Sequence, residues 1–503
     1  LRNNFGKGER VSGYKGASRK MAHDKEPDPA RLVAAEALLE VEEQDRFANL
    51  VLPKLLKAEQ LSNPRFTAQD AAFTSELVYG TVRRRRTLDA VLAPLSKRPL
   101  DQLDPPVRVC LRLGAYQLLY MRVPDHAAVS ETVSVARKLC GDGPSRTVNA
   151  VLRSLLREGS EDAIDRAVER EGGRSKLGVR HSHPDWMVDA LRESLRLRGL
   201  EDQIQSALEA NNHAAQVTLA ARPSLVEAAD LAHEAEDILG TAAHQGNLTE
   251  SAVIIAGGDP GALPSIRSGH AGVQDEGSQL AAALLAAAPV QGSPDRNWLD
   301  LCAGPGGKAA LLASIGSERG ATVTANELIP HRARLLERSV RALPNVEVVV
   351  ADGRALKSDH LFDRTLIDAP CLGLGSLRRR PESRWRHSRS DLDDLVPLQW
   401  ELLTAGVKLT RPGGVVAWVT CSPHPDETVE QVAHALEALP LRLINAHKVA
   451  ELVTPFDLAP PATEEPVVPA GYQEIIDETV QLWPHIHGTD AMFIALFSRT
   501  EDR

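Results

Sequence analysis

Two cysteines follow short apolar runs, at positions where α/β sheets usually carry their chemistry. Cys371 comes just after the run at 364–368, and Cys421 comes directly after the run at 415–420. Such runs are typical of buried parallel strands, and open sheets bind their ligands at the carboxyl ends of these strands. We therefore expect the two thiols to lie in one crevice, where covalent chemistry on an electrophilic ring becomes possible.

A glycine-rich segment upstream has the pattern of a strand, a tight turn and a helix start. It reads Leu299-Asp-Leu-Cys-Ala-Gly-Pro-Gly-Gly-Lys308 and could hold a nucleotide-like cofactor. A Walker A loop is excluded, because Cys302 replaces its first glycine and Ala309 replaces its serine or threonine. A dinucleotide fingerprint based on Gly304 and Gly306 accepts Ala309, so a nicotinamide cofactor stays open on this motif alone.

Acidic residues follow the next two predicted strands. Glu327 lies 20 residues after Gly307, where a carboxylate accepts ribose hydroxyls of either NAD or S-adenosylmethionine. Asp352 ends a third strand and could bind an adenine amino group. Helix capping by Asp352 and a surface ion pair between Glu327 and Arg332 are the alternative roles.

Composition limits the possible classes of protein. A chain of 503 residues with 43% hydrophobic content has room for about three cored domains of roughly 150 residues. The net charge of -10 does not attract nucleic acid, so RNA contact requires local patches such as Arg83–Arg86 or 378–389. Five cysteines without a Cys-x-x-Cys pair argue against a disulfide scaffold, and no metal-ligand spacing occurs. Because no apolar run of membrane length or signal peptide is visible, we expect a soluble cytoplasmic protein with reduced thiols. We also expect it to be a monomer that binds no membrane and no metal.

Periodicity divides the chain into four regions. Residues 1–28 are glycine- and charge-rich and are predicted to be a disordered basic tail. Residues 29–160 have helical periodicity throughout, and 177–271 mix helical and strand patterns in a small α+β module. In 272–500, apolar strands alternate with helices, which predicts a parallel sheet covered on both faces.

These motifs resemble a known family. Asp300–Lys308, Asp368-Ala-Pro-Cys371 and Thr420-Cys421-Ser are similar to the signature of Sun/Fmu-type RNA cytosine-5 methyltransferases. Gln274–Gln279 and 488–495 resemble further segments of that family, and the helical region resembles a NusB-type RNA-binding domain. The resemblance implies a multidomain chain: an N-terminal all-α NusB-like bundle, a small α+β connecting module and a C-terminal α/β Rossmann-like class I methyltransferase domain.

The resemblance also implies roles for individual residues. The cofactor would be S-adenosylmethionine, and the substrate would be RNA, in particular small-subunit ribosomal RNA. Cys421 would attack C6 of cytosine, Cys371 would release the product, Asp368 would hold the base and Lys308 would orient it or stabilise charge. The residues expected to bind the cofactor are Cys302, Ala303, Gly304, Pro305, Gly306, Gly307, Lys308, Glu327, Arg332, Asp352, Gly353 and Asp368. Those expected beside the RNA are Arg378, Arg379, Arg380, Arg384, Trp385 and Arg386.

The sequence departs from the family pattern at two positions. Leu372 follows Cys371 where a small residue is usual, and Thr428 follows Glu427 where asparagine is common. Neither change removes a thiol, so the enzymatic interpretation is kept. Two other functions stay open at this point. One is a NusB-like RNA-binding or assembly factor without turnover, and the other is an NAD-dependent oxidoreductase, which leaves the thiol pair unexplained.

Overall fold

The computed structural model describes residues 26–44, 46–159, 162–173, 175–292, 294–459, 466 and 468–501. The predicted tail at 1–28 therefore lies outside the described residues, apart from 26–28. The chain forms two compact units. The first contains the described residues up to Thr81 together with Val91–Ala163, and the second contains Val82–Ala90 and Ile164–Arg503. The sequence-based domain boundaries stay predictions.

The first unit is helical, as predicted. The helices of this region are α1 (Pro29–Glu43), α2 (Ala48–Ser62), α3 (Ala68–Arg83), α4 (Arg85–Leu92), α5 (Pro105–Tyr120), α6 (Asp125–Cys140) and α7 (Asp142–Glu158). The end of α3 and most of α4 belong to the second unit. Asp28 caps α1 by accepting a hydrogen bond from the Arg31 N–H at 3.0 Å. Helix α5 is apolar around most of its circumference, so it is buried between its neighbours. Cys110 lies in that core, as expected, whereas Cys140 is only half-buried.

The second unit continues with helices and then a small sheet. The helices are α8 (Ala163–Glu169), α9 (Ser175–His181), α10 (Asp185–Arg196) and α11 (Ile204–Ala210). The module that follows contains β1 (Val217–Ala221), α12 (Ala228–Leu239), β2 (Ala243–Gln245), β3 (Ala252–Ile255), α13 (Pro264–Ser268) and β4 (Ala271–Val273). The strands pair in the order β2-β3-β1-β4, and β1 is antiparallel to both neighbours. The predicted α+β module is confirmed.

The remainder forms the predicted α/β domain. Its elements are α14 (Glu276–Ala287), β5 (Asn297–Asp300), α15 (Gly307–Ser317), β6 (Thr322–Asn326), α16 (Pro330–Val340), β7 (Val346–Val349), β8 (Phe362–Asp368), α17 (Ser383–Arg386), α18 (Leu392–Leu409), β9 (Thr410–Thr420), α19 (Val429–Ala438), β10 (Leu441–Ile444), α20 (Ala446–Ala450), α21 (Tyr472–Glu478), β11 (Val480–Gln481), α22 (Pro484–His487) and β12 (Phe493–Arg499). The sheet order is β10-β12-β9-β8-β5-β6-β7, and β11 pairs with β12. Strands β5 to β9 are mutually parallel, whereas β12 and β10 are antiparallel to their neighbours.

Both faces of this sheet are buried, which explains the continuous apolar runs. Trp298 and Leu366 pack into one apolar cluster, and the adjacent residues Leu299 and Ile367 pack into another. The strand order reverses beside β5, because the chain runs outward to β6 and β7 and returns as β8 on the other side. Loops that leave β5 and β8 at such a reversal open a crevice, and ligands of doubly wound sheets bind there.

Candidate active site

The loops after β8 and β9 bring the two predicted cysteines together. Cys371 Sγ and Cys421 Sγ are 3.4 Å apart, within hydrogen-bonding reach. The strands are parallel neighbours, with Asp368 opposite Val419, so both loops leave the same edge of the sheet. The Gly375 N–H also donates to the Cys421 carbonyl at 2.9 Å, which joins the loops directly. The convergence expected from the strand pattern is therefore observed.

The pKa values of the two thiols are shifted in opposite directions. The hydrogen bond from Cys371 lowers the pKa of Cys421, and nearby Lys308 and Arg380 act in the same direction. The same hydrogen bond raises the pKa of Cys371, and burial and the charge of Glu427 add to that effect. Because only a thiolate is strongly nucleophilic, these opposite pKa shifts favour the thiolate at Cys421 over Cys371, and the catalytic roles of the two cysteines stay predictions.

A buried cation lies beside this pair. Lys308 is 8% exposed at the start of α15, and its Nζ is 2.8 Å from the Asp368 carboxylate at the end of β8. Burial disfavours the charged ammonium, but Asp368 outweighs that effect, so the pKa of Lys308 is raised. Lys308 therefore stays protonated, holds Asp368 in place and contributes positive potential at Cys421.

The glycine loop after β5 has the shape that a nucleotide-like ligand requires. Gly306 adopts φ 113°, a conformation that favours glycine, and a Cβ there would lie 2.7 Å from the Cβ of Ser339. Asp300 ends β5 at 1% exposure, and neither of its carboxyl oxygens has a hydrogen-bond partner among the described residues. Burial, reinforced by Asp368, raises the pKa of Asp300 to about 8. An orphaned buried acid beside an open glycine turn fits a ligand that offers hydrogen-bond donors.

The acid after β6 shapes this loop. Glu327 is buried and accepts hydrogen bonds from the Gly304 N–H at 3.1 Å and the Ile329 N–H at 2.9 Å. Arg332 lies 3.5 Å from the same carboxylate and also donates to the Gly304 carbonyl. The alternative role of Glu327, an ion pair with Arg332, is present, but Glu327 is buried and not at the surface; both side chains hold the glycine loop. Binding of ribose by Glu327 stays a prediction.

The acid after β7 is engaged in a different way. Asp352 caps a short turn by accepting from the Arg354 N–H at 3.0 Å, and it forms an ion pair with the Arg354 guanidinium at 2.6 Å. That side-chain hydrogen bond lowers the pKa of Asp352. The capping alternative is therefore observed, and a role for Asp352 or Gly353 in adenine binding stays a prediction. Cys302 is half-buried beneath the loop, and burial raises the pKa of its thiol.

A cavity of about 370 Å³ lies between the small module and the α/β domain. The predicted site residues that line it are Ala303, Gly304, Pro305, Gly307, Lys308, Asp368, Arg379, Arg380 and Cys421. The remaining predicted site residues are not part of this lining. The residues without a predicted role that line it are Ala220, Arg222, Gly272, Val273, Gln274, Asp275, Ser278, Leu311, Ser339, Ser376, Asp490 and Met492. The segments around Asp275 and Asp490 had matched the family pattern, whereas Arg222 belongs to no recognisable motif.

One wall of the cavity is an ion-pair network. Arg379 contacts Asp275 at 2.6 Å and Asp490 at 3.2 Å, and Asp275 also accepts from the Asp490 N–H. Burial and the neighbouring Asp275 raise the pKa of Asp490 to about 7. Arg379 therefore joins the segment before α14 to the segment before β12, and its donors are largely committed within the protein.

The prediction that the whole segment from Arg378 to Arg386 contacts RNA is wrong for two of its residues. Arg384 is fully buried and donates to the carbonyls of Arg83 and Asn211, and Arg378 is 8% exposed and donates to the Gly488 carbonyl. Both guanidinium groups satisfy backbone acceptors, so they are withheld from phosphate. Trp385 is half-buried and its Nε1 donates to the Val82 carbonyl at 2.9 Å.

The two remaining arginines of the segment differ in exposure. Arg380 is exposed and lines the cavity, and Arg386 is half-buried. Contact of these two residues with RNA stays a prediction. Among the described residues, no group of His, Cys, Asp and Glu side chains could hold a metal ion. No helix in the described part of the chain is long and apolar enough to cross a membrane.

The sheet, its switch point and the glycine loop define a Rossmann-like methyltransferase domain. The sequence profile of the 16S rRNA methyltransferase RsmB/F family matches residues 287–498, and that of the NusB family matches residues 28–157. The "Putative methyltransferase Rv1407" of Mycobacterium tuberculosis is 44% identical over 94% of this chain and 97% of its own length. The ribosomal RNA small subunit methyltransferase B of Pseudomonas putida is 34% identical, with 82% and 89% covered.

The overall fold has a solved counterpart. The crystal structure of PH0851 superposes with a TM-score of 0.71 at 21% identity, and the similarity covers 94% of this chain and 99% of that one. From the profiles and the identities to relatives, the chain belongs to the RsmB/F family of 16S rRNA methyltransferases and carries a NusB domain. The predicted resemblance is confirmed, and the cofactor is S-adenosylmethionine. The NAD-dependent alternative is thereby dismissed.

Proposed function

We propose that this enzyme methylates C5 of a cytosine in 16S ribosomal RNA through a covalent bond between Cys421 and C6. The proposal depends chiefly on one observation. Cys371 Sγ and Cys421 Sγ lie 3.4 Å apart at the switch point of the sheet, and their pKa values are shifted in opposite directions. Methylation of a base nitrogen or a ribose hydroxyl requires no sulfur nucleophile, so the pair favours carbon methylation.

Cytosine C5 is a weak nucleophile until a group adds at C6. The Cys421 thiolate forms the S–C6 bond as the C5=C6 π bond breaks, and its electron pair is spread over C5, C4 and N3 in an anionic enamine that is nucleophilic at C5. S-adenosylmethionine supplies, when bound, the electrophilic methyl group that C5 takes up. In the release step a base removes the C5 proton, the C5–C6 double bond reforms and the S–C6 bond breaks, which returns a thiolate to Cys421. Cys371 is the sulfur positioned to act in that step.

Two residues beside Cys421 can hold the cytosine ring and stabilise its charge. The Asp368 carboxylate lines the cavity beside Cys421 and can accept a hydrogen bond from the cytosine amino group. Lys308 fixes that carboxylate at 2.8 Å and stabilises negative charge that develops on the ring. Residues of the loop from Ala303 to Gly307 and the Asp300 carboxyl would hold the cofactor. The target nucleotide must be single-stranded or flipped out to reach this cavity.

The experiment measures tritium release by variants in which each of the two cysteines is replaced by alanine. RNA that carries tritium at cytosine C5 should release it with the wild-type enzyme, because methylation replaces that hydrogen. We expect Cys421→Ala to abolish release, and Cys371→Ala to accumulate an RNA–protein adduct that survives denaturing electrophoresis. Methyl transfer without tritium release would exclude C5 as the acceptor, and an adduct trapped by Cys421→Ala would reverse the two roles. Because its proposed substrate is ribosomal RNA, we also propose that the enzyme acts in the cytoplasm. We further propose that it is a monomer and uses no metal.

A further inference from the structure

A buried glutamate is bonded to the cysteine loop from the opposite side. Glu427 lies six residues after Cys421 and is fully buried. Its Oε1 accepts from the Leu372 N–H at 2.9 Å and from Gln399 Nε2 at 3.0 Å. The Gln399 amide also donates to the Pro370 carbonyl at 2.9 Å. The residues on both sides of Cys371 are therefore held by one Glu–Gln pair.

The anchoring of Glu427 itself is independent of the Cys371 loop. Trp418 in β9 donates from Nε1 to the Glu427 carbonyl at 3.2 Å, so this backbone is fixed to the strand that carries Cys421. The pairing of Thr420 with Phe493 in β12 holds the end of that strand as well. Glu427 thus joins the Cys371 loop to a part of the sheet that stays in place without it.

The stability of the fold alone does not explain a carboxyl at this position, because a buried carboxyl is costly. Glu427 Oε2 has no hydrogen-bond partner among the described residues, and burial raises the pKa of the group. A buried polar atom without a partner costs about 1–3 kcal/mol. An apolar side chain would avoid that cost, but it would leave the Leu372 N–H without an acceptor and would release one side of the cysteine loop.

We propose that Glu427 is a positioning residue that keeps the Cys371 sulfur beside Cys421, so that the release step can follow the attack. This inference rests on the proposed roles of the two cysteines. Cys421 follows directly on β9, and the side chain that Glu427 meets in the Cys421 loop is that of the neighbouring Ser422. Loss of the Glu427 carboxyl should therefore leave attack largely intact and impair release. Gln399 contributes to the same function, because it bonds both Glu427 and the Pro370 carbonyl.

The test compares three variants with wild type. Glu427→Ala removes the acceptor of the Leu372 N–H, Glu427→Gln keeps an oxygen in its place without the charge, and Asp426→Asn is a matched control. Asp426 is the preceding residue and is half-buried, its N–H bonds to His424, and among the described residues it makes no hydrogen bond to the Cys371 loop. We expect Glu427→Ala to lose about tenfold or more in tritium release and to accumulate adduct as Cys371→Ala does. Glu427→Gln should restore most of the release, and Asp426→Asn should match wild type.

A second readout needs neither cofactor nor RNA. Iodoacetamide alkylation of the free enzyme, located by peptide mass spectrometry, reports the thiolate at Cys421 as a function of pH. If Cys371 moves away in Glu427→Ala, its hydrogen bond to Cys421 is lost and the midpoint for Cys421 alkylation shifts upward. In Glu427→Gln the midpoint should stay close to that of wild type.

The outcomes separate this inference from the proposed function. If Cys371→Ala traps no adduct, the proposed roles of the cysteines fail. If Cys371→Ala traps the adduct but folded Glu427→Ala releases product at the wild-type rate, the positioning role is refuted. Should Glu427→Ala not fold, Gln399→Leu takes its place, because it removes the bond to Pro370 and one bond to Glu427. Wild-type release and alkylation by folded Gln399→Leu would equally overturn the inference.

Discussion

Replacement of Arg384 by methionine tests the correction that this arginine is a structural residue. Arg384 is fully buried and donates to the carbonyls of Arg83, Ser182 and Asn211 and to the Asn212 side chain, at 2.5 to 3.3 Å. Methionine has a similar length but no donor. The substitution therefore leaves buried acceptors without partners while it preserves most of the side-chain volume.

The magnitude follows from the number of acceptors and the desolvation of the charge. An unsatisfied buried acceptor costs about 1–3 kcal/mol. Burial lowers the pKa of Arg384 well below its usual value, which shows that the charge itself is strongly desolvated and that its removal offsets part of the loss. Four lost acceptors at about 1–3 kcal/mol each, less the part offset by removal of the charge, give an expected net destabilisation of about 3–5 kcal/mol. At about 2 °C per kcal/mol, Tm should fall by about 6–10 °C.

The assay pairs thermal and urea unfolding with RNA binding at several salt concentrations. Arg380→Met is the comparison, because Arg380 belongs to the same basic segment but is exposed and lines the cavity. If Arg380 contacts a phosphate, its loss should reduce the slope of log affinity against log salt by about 0.7 and lower Tm by much less than Arg384→Met does. Arg384→Met at a temperature where it is folded should keep the wild-type slope. An unchanged Tm with a reduced slope for Arg384→Met would refute the structural role.

Two further predictions concern packing and pH. In Gly375→Ala the new Cβ would lie 1.9 Å from the Ala491 carbonyl oxygen and 2.9 Å from that of Cys421, so the loop must move. Methyl transfer should fall by about 10²-fold with the circular dichroism spectrum unchanged, and wild-type activity would show that the loop adapts freely. Burial, with a contribution from Arg384, lowers the pKa of His183 well below 6.5, so the unfolded chain takes up a proton that the folded state does not. Stability present above pH 6.5 is therefore lost as the pH falls, at about 1.4 kcal/mol per pH unit for this group. In urea unfolding, the free energy of unfolding of His183→Gln should change less steeply with pH, by that amount.

The sequence is sufficient to place the catalytic edge of the sheet. Runs such as the one that ends at Thr420 are apolar on both faces, which is typical of strands in a parallel sheet that helices cover on both sides. Carboxyl ends of parallel strands meet at one edge, so the meeting of Cys371 and Cys421 follows from local pattern alone. The glycine turn adds a conformational requirement at Gly306 that is also visible in the residue type.

The basic segment shows what local pattern cannot provide. An arginine run has the same composition whether it faces solvent or satisfies carbonyl groups inside the protein. Three acceptors of Arg384 are backbone carbonyls, as far as 301 residues away, and a backbone carbonyl leaves no signature in the sequence. The same reason hides the role of Glu427, although the residue itself belongs to the family pattern, since its partners are the Leu372 N–H and the Gln399 amide. Arg222 lines the cavity from a different module, and no spacing rule links it to the cysteines.

The assignment of Val82–Ala90 to the second compact unit has a consequence for synthesis of the chain. These residues emerge from the ribosome early, but the guanidinium that bonds the Arg83 carbonyl belongs to a residue made 301 positions later. At roughly 5–20 residues per second, the interval is about 15–60 s. During that time the Arg83 carbonyl lacks this donor, although Arg86 and Thr87 can already bond Ser182 and Val179, which emerge much earlier. Nascent chains arrested between residues 185 and 384 should therefore be cleaved by protease near Arg83 more readily than full-length chains.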